Sequence, residues 1–371
     1  MAADASRWFL ADPELKQDLK TLSIKAVIAL APTDSKVDSM QAKLTNVSYM
    51  VLQGARDGDL NEYFGERQYD RTIFTSQDSG FKTYLHIPNA NHSQFNTTWG
   101  GLDTSLPKGL FLNRNDMMTG SNQRQVAKVY VSAFLETILH DQEEYTRLFR
   151  DYRTGLQWLP DSIYFNQFEN NKVMEITRFE DEDNTSMIEN IKTEVSGGLS
   201  WTEETLTPDN TGILLKWSRA HSQEPSYSLS WSDHDDQLPY YFEKADGLSL
   251  SIADNSISNT AKQVDALPIA NIKITLETRD ELSVTLPLSE FMSLQPMIVP
   301  QFTKHEWLEE HFDDGKYNLP EKAIFQSVEI PFEAFENINP SFIPEHIDRM
   351  TLEFGEGPGQ VLLDNIGLYR N

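Results

Sequence analysis

The sequence predicts a multidomain chain: a partial parallel β-sheet with helices over residues 1–150, followed by an all-β sandwich over 160–371. Three observations lead there. The 371 residues exceed the roughly 100–200 of an ordinary domain. Charge is uneven, because positions 1–150 hold 16 basic and 18 acidic side chains, net −2, and the remainder holds 15 and 39, net −24. Strand-like runs alternate with a helical period in the first part, whereas later runs are short and separated only by turns.

In the first part, positions 25–30 (KAVIAL) and 47–53 (VSYMVLQ) are apolar runs ended by Ala31-Pro32 and by Gly54, the pattern of strands buried on two faces. Positions 81–87 (FKTYLHI) alternate and stop at Pro88. Over 123–139 the apolar residues Val126, Val129, Tyr130, Ala133, Phe134 and Ile138 share one helix face, with Ser121 as the expected N-cap. Strands separated by helical stretches predict a parallel sheet, and ligands of such sheets sit beyond the carboxyl ends of the strands. Two loops fill that position, Gly54-Ala55-Arg56-Asp57-Gly58-Asp59-Leu60 and Asn89-Ala90-Asn91-His92-Ser93-Gln94-Phe95-Asn96. An acid on one and a histidine on the next suit proton transfer: a carboxylate holds the imidazole in one tautomer, and its other nitrogen takes a proton from a hydroxyl.

The segments VIALAPTD, VLQGARDGDL, RQYDRTIF, FKTYLHIPNANHSQFNTTWG and QRQVAKVYVSAFLETIL together resemble the C-terminal part of an α/β-hydrolase of the esterase, lipase and dienelactone-hydrolase kind, over roughly 24–140. The resemblance implies hydrolysis of a carboxylic ester, with Asp57 as the acid, Asp59 in reserve and His92 as the catalytic histidine. It implies no required cofactor and a small ester or acylated polysaccharide as substrate. The family's nucleophile elbow, G-x-S-x-G, precedes the strand corresponding to 25–30, and the motif occurs nowhere in this sequence; Gly198-Leu199-Ser200-Trp201-Thr202 lacks its closing glycine. The chain is therefore expected to begin downstream of the elbow and of the oxyanion-hole loop, as a truncated domain with two members of a triad. Ser93 and Ser121 are weak nucleophile candidates, better explained as a loop hydrogen bond and a helix cap. Truncation, completion by a second chain, or recruitment of another serine would each account for the gap. About three parallel strands leave exposed edges, so a homo-oligomer that completes the sheet is expected.

From position 163 onward, runs at 163–168, 212–217, 227–231, 248–252, 272–277, 282–286, 323–331, 350–354 and 361–369 read as strands of a sandwich. The segments 330–335 (IPFEAF), 347–354 (IDRMTLEF) and 361–369 (VLLDNIGLY) resemble the last strands of galactose-binding-like jelly rolls, the fold of many carbohydrate-binding modules. That resemblance implies a possible structural calcium, with Glu180 and Asp364 as candidate ligands, and sugar stacking on exposed rings drawn from Trp201, Trp217, Trp231, Tyr240, Tyr241 and Trp307. An aromatic in a sandwich is nevertheless core more often than platform. The acidic run 232–236 reads as a solvated loop, and His305-Glu306-Trp307-Leu308-Glu309 has a glutamate where H-E-x-x-H needs its second histidine, so no zinc is assigned. The rival to the esterase reading is a non-catalytic carbohydrate-binding or structural protein carrying a hydrolase remnant. The domain boundary is expected within 141–160.

The net charge of −26 repels a phosphate backbone, so nucleic acid is not an expected partner. With no cysteine there is no disulfide, thiolate metal site or thiol nucleophile. No stretch of 18 uncharged apolar residues offers a membrane span. The hydrolase resemblance points to a secreted or periplasmic protein, although the first 20 residues carry neither a basic nor an apolar leader segment.

Overall fold

A computed structural model describes residues 5–6, 12, 23–37, 39–75, 80–177, 179, 191–218, 223–231, 238–256, 271–298, 300–317, 322–355 and 357–371. The chain divides into two units, Met1–Asn171 with Ile298–Lys322, and Lys172–Met297 with Ala323–Asn371. No helix among the described residues is long and apolar enough to cross a membrane.

In the first unit, β1 (Ala26–Leu30), β2 (Ser48–Gly54) and β3 (Phe81–Ile87) run parallel and in that order, and β4 (Phe165–Asn170) pairs antiparallel with β3. Every residue of β2 and β3 is buried, as strands covered on both faces must be. One face meets α1 (Phe64–Asp70), which buries Gly65, Glu66, Gln68 and Tyr69. The other meets α2 (Gly120–His140), whose Val126, Tyr130, Ala133 and Phe134 pack with Met50, Leu52, Phe81 and Leu85.

The α1 face is polar. Lys82 Nζ lies 3.2 Å from Glu169 and 4.6 Å above the Tyr69 ring, and Glu66 pairs with Lys322. His86 is fully buried, edge-on to Tyr63 and Phe165, with its Nδ1 3.0 Å from the Tyr84 hydroxyl and its Nε2 without a hydrogen-bond partner among the described residues. Burial pushes its pKa down to about 3.

Three expectations change here. The run 163–168 does not open the sandwich: β4 closes the first sheet, in register from Phe81 opposite Asn170 to His86 opposite Phe165, so the units part after Asn171 and not within 141–160. A half-apolar edge strand carries the same local pattern in either sheet, which is why its sequence misplaces it. Residues 298–322 also return to the first unit, where Asn113 N donates to Phe302 O at 2.8 Å and Lys304 N to Phe111 O at 2.9 Å. The N-cap of α2 is Thr119, whose hydroxyl accepts from Asn122 N at 3.3 Å, and Ser121 Oγ lies 2.9 Å from that hydroxyl.

The second unit is a β-sandwich. Its strands are β5 (Met174–Thr177), β6 (Lys192–Ser196), β7 (Ser200–Thr207), β8 (Asn210–Trp217), β9 (Ser226–Ser230), β10 (Gly247–Asp254), β11 (Ile272–Thr278), β12 (Ser283–Pro287), β13 (Gln326–Pro331), β14 (Ile347–Phe354) and β15 (Gly359–Tyr369). The first sheet has the order β13-β10-β15-β8-β7, with β5 also on β15, and the second the order β12-β11-β14-β9-β6. Alternate residues of both sheets make one core: Leu248, Leu250, Val361 and Leu363 meet Ile274, Leu276, Met350 and Leu352, and Trp217 stacks on Phe354 with centroids 4.5 Å apart. Strands β5, β6 and β7 have no counterpart in the sequence reading. β6 is exposed throughout and β7 over most of its length, and a solvated edge strand shows no apolar alternation.

The buried His86 makes a pH prediction. An unfolded imidazole protonates near pH 6.5 and the folded one only near 3, so stability is full above that window and falls as pH drops through it. His86→Phe should flatten this acid limb, as read from urea midpoints across pH; an acid limb as steep as that of the unsubstituted protein would contradict the assignment.

Candidate functional site

Adjacent parallel strands release their next loops side by side, and the loops after β2 and β3 are joined by backbone bonds, Ala55 N to Ile87 O at 3.0 Å and Arg56 N to Ala90 O at 2.9 Å. Glycine is required at 54, since a Cβ there would stand 2.5 Å from Ala90 O. Asp57, the third residue past β2, is fully buried. Its Oδ1 accepts from Asp59 N at 3.0 Å and Leu60 N at 2.6 Å, a local turn closed by its own side chain. Its Oδ2 lies 2.9 Å from His92 Nδ1 and 3.4 Å from Gln53 Nε2.

His92 precedes the short 3₁₀ turn Ser93–Phe95, with its side chain 16% exposed. The Trp99 indole, 63% exposed, stacks on the imidazole at 5.7 Å and 4°. Asp59 Oδ2 lies 3.9 Å from Nε2, the nitrogen that Asp57 does not touch, so the reserve acid does not bond the ring as Asp57 does. The bond from Asp57 raises the His92 pKa above the ordinary imidazole value against the opposing effect of burial, and Asp59 and Asp103 act in the same direction as the bond. Asp57 is raised by burial, and the bond to His92 opposes that rise. An ionised carboxylate can only accept, so Nδ1 carries the shared proton and Nε2 of the neutral ring keeps its lone pair. Such a pair can act as a general base with fixed orientation.

The serine candidates do not complete it. Ser93 Oγ donates to Leu102 O at 2.9 Å, and Ser121 is engaged with Thr119. Among the described residues no hydroxyl hydrogen-bonds to His92 Nε2, and Ser200 lies on β7 of the second unit. Two residues with no sequence signal of their own join the site: Trp99 on the ring face, and Asp103, which accepts from His92 N at 3.1 Å and Gly58 N at 2.9 Å.

Of the calcium candidates, Glu180 lies outside the described residues, as does the acidic run 232–236. Asp364 is buried and accepts from Asn210 Nδ2 at 2.9 Å and Asn365 N at 2.7 Å. Among the described residues no three His, Asp or Glu side chains are placed to hold a metal ion. Of the aromatics, Trp217 and Trp231 belong to the sandwich core, Trp201 and Tyr240 are exposed, Tyr241 is half-buried, and Trp307 is exposed in the first unit. The sandwich also holds a cavity of about 580 Å³ lined by Lys192, Ser230, Glu277, Arg279, Ser283 and Arg349 among others.

The dyad predicts that Asp57→Asn lowers the His92 pKa toward the ordinary imidazole value, followed by NMR titration of the ring protons. An unchanged titration would show that the two side chains are not coupled in solution.

No protein-family model matches the sequence, and no curated protein matches it. Solved structures do show similarity. The family 11 carbohydrate-binding module of a cellulosomal cellulase of Clostridium thermocellum gives a TM-score of 0.30 at 11% identity, over 54% of this chain and 95% of that one. The family 30 carbohydrate-binding module of another cellulosomal cellulase of the same organism gives 0.33 at 14%, over 53% and 98%. An exo-β-agarase gives 0.28 at 13%, over 54% and 25%.

Proposed function

We propose that the first unit carries the acid and base of a serine-type carboxylic-ester hydrolase, the α/β-hydrolase arrangement whose residues the sequence resembles. The observation that supports this is the 2.9 Å contact of buried Asp57 with His92 Nδ1, on the loops after two adjacent parallel strands. His92 Nε2 would take the proton of a serine hydroxyl as the hydroxyl attacks the ester carbonyl and return it to the departing alcohol, while Asp57 holds the ring and stabilises the imidazolium. The serine would come from outside the described residues or from a second chain. Among the described residues β1 pairs with β2 and ends the strand order, so a strand from a second copy of this chain could add along its other edge and complete the sheet in a homo-oligomer. Trp99, Leu106, Leu110 and Phe111 are exposed on the segment that follows His92 and offer apolar surface to an acyl or alcohol group.

Incubation of the purified chain with a short p-nitrophenyl ester and a fluorophosphonate probe tests this. Turnover and one labelled serine are expected, with turnover lost in His92→Ala and reduced by about 10⁴ in Asp57→Asn. No turnover with no labelled serine would overturn the reading, and full turnover in His92→Ala would overturn the mechanism.

A second reading, polysaccharide binding by the sandwich, is favoured by the cavity of about 580 Å³, whose lining mixes hydroxyls with both signs of charge, and by exposed Trp201 on β7. Retention on a glycan array, weakened by Trp201→Ala or Arg279→Ala, is expected; no binding to any glycan would contradict it.

A further inference from the structure

Asp103 belongs to neither strand-end loop, yet all of its described hydrogen bonds run to them. Oδ2 accepts from Gly58 N, one residue past Asp57, at 2.9 Å and from His92 N at 3.1 Å. Oδ1 accepts from Ser93 N at 2.9 Å and Asn91 Nδ2 at 2.8 Å. A carboxylate offers about four acceptor sites, and here four donors fill them. Its neighbour Leu102 adds another tie by accepting from Ser93 Oγ at 2.9 Å. Asn91 is in turn fixed to α2, donating from its N to Gln123 Oε1 at 3.1 Å and accepting at its O from Gln123 Nε2 at 2.6 Å. Hydrogen bonds to an ionised acceptor are stronger than neutral ones, so a single side chain can hold two loops together.

We propose that Asp103 is a positioning residue: its carboxylate staples the acid-bearing loop to the histidine-bearing loop and thereby sets the contact between Asp57 and His92. The proposal rests on the dyad reading and deepens it. Asp103 touches no reacting atom and acts through Asp57.

The His92 ring, which is bonded to Asp57, lies near Asp59 and feels the charge of Asp103, reports the effect in an NMR titration that needs no substrate and no identified nucleophile. Six folded proteins suffice: the unsubstituted chain, Asp103→Ala, Asp59→Asn, Asp57→Asn, and the double variants that combine Asp57→Asn with each of the other two. Asp103→Ala should lower the His92 pKa clearly more in the unsubstituted protein than in the Asp57→Asn background, where the contact it positions is already gone and only the direct effect of its own charge is left to lose. Asp59→Asn removes a nearby charge without touching the staple, so its effect should be the same in both backgrounds. If Asp103→Ala does not fold, Asp103→Asn, which keeps the shape and one acceptor oxygen, should show a smaller fall with the same dependence on Asp57.

An unchanged His92 titration in folded Asp103→Ala or Asp103→Asn overturns the proposal, and so do equal falls in both backgrounds, which would mean a direct field and no positioning. If Asp57→Asn itself leaves His92 unmoved, the dyad reading fails and this proposal with it. A shift in Asp57→Asn without one in the Asp103 variants removes the staple alone.

Discussion

A carboxylate taken out of water costs several kcal/mol unless donors replace its hydration, and Asp57 is buried completely. Much of the first unit's geometry answers that constraint. Two donors, the N–H groups of Asp59 and Leu60, come from the turn that follows, and a third comes from Gln53 at the end of the strand that precedes. The fourth is His92, brought from the next strand, which requires that β2 and β3 be adjacent and parallel and that no side chain at Gly54 hold the second loop away. The acid loop is also braced from far downstream: the Tyr317 hydroxyl donates to Gly58 O at 2.9 Å and Lys316 Nζ to Asp59 O at 3.0 Å. The return of residues 298–322 to the first unit thus supports the loop that carries the acid.

The two units bury polarity in opposite ways. In the first unit's sheet one face is apolar against α2, while the other takes in polar pairs, Lys82 with Glu169, Tyr84 with His86 and Glu66 with Lys322. The sandwich has an apolar core between its sheets and carries hydroxyl pairs on the opposite face of its second sheet, Ser228 with Thr351 at 2.8 Å and Thr275 with Thr285 at 2.7 Å. Removing one member of a buried ion pair leaves the other charge uncompensated, so a neutralising change at Lys82 or Glu169 should be felt more than the loss of one hydroxyl from the ladder.

The parts of this structure legible in the sequence are those governed by local pattern. KAVIAL, VSYMVLQ and FKTYLHI declared their strands through apolar runs and terminating Pro or Gly, and the alternating runs from 212 to 369 declared most of the sandwich. The rule that ligands sit past strand ends singled out Asp57 and His92, whose side chains the fold brings to 2.9 Å. Long-range pairing was not legible. The strand Phe165–Asn170 has no local mark of the sheet it joins, the loop carrying Tyr317 returns across 259 positions to Gly58, and Asp103 looks like any loop aspartate until four donors converge on it. The mostly polar, exposed β6 and β7 failed for the opposite reason, since their exposure removes the alternation that marks a strand.

Whether Asp57 fixes which nitrogen of His92 holds the proton is measured directly by the ¹⁵N chemical shifts of the His92 ring in the neutral state. A single tautomer protonated at Nδ1 is expected, with Nε2 showing the shift of an unprotonated nitrogen. A ring protonated at Nε2, or one averaging between the two forms as a free imidazole does, would contradict it.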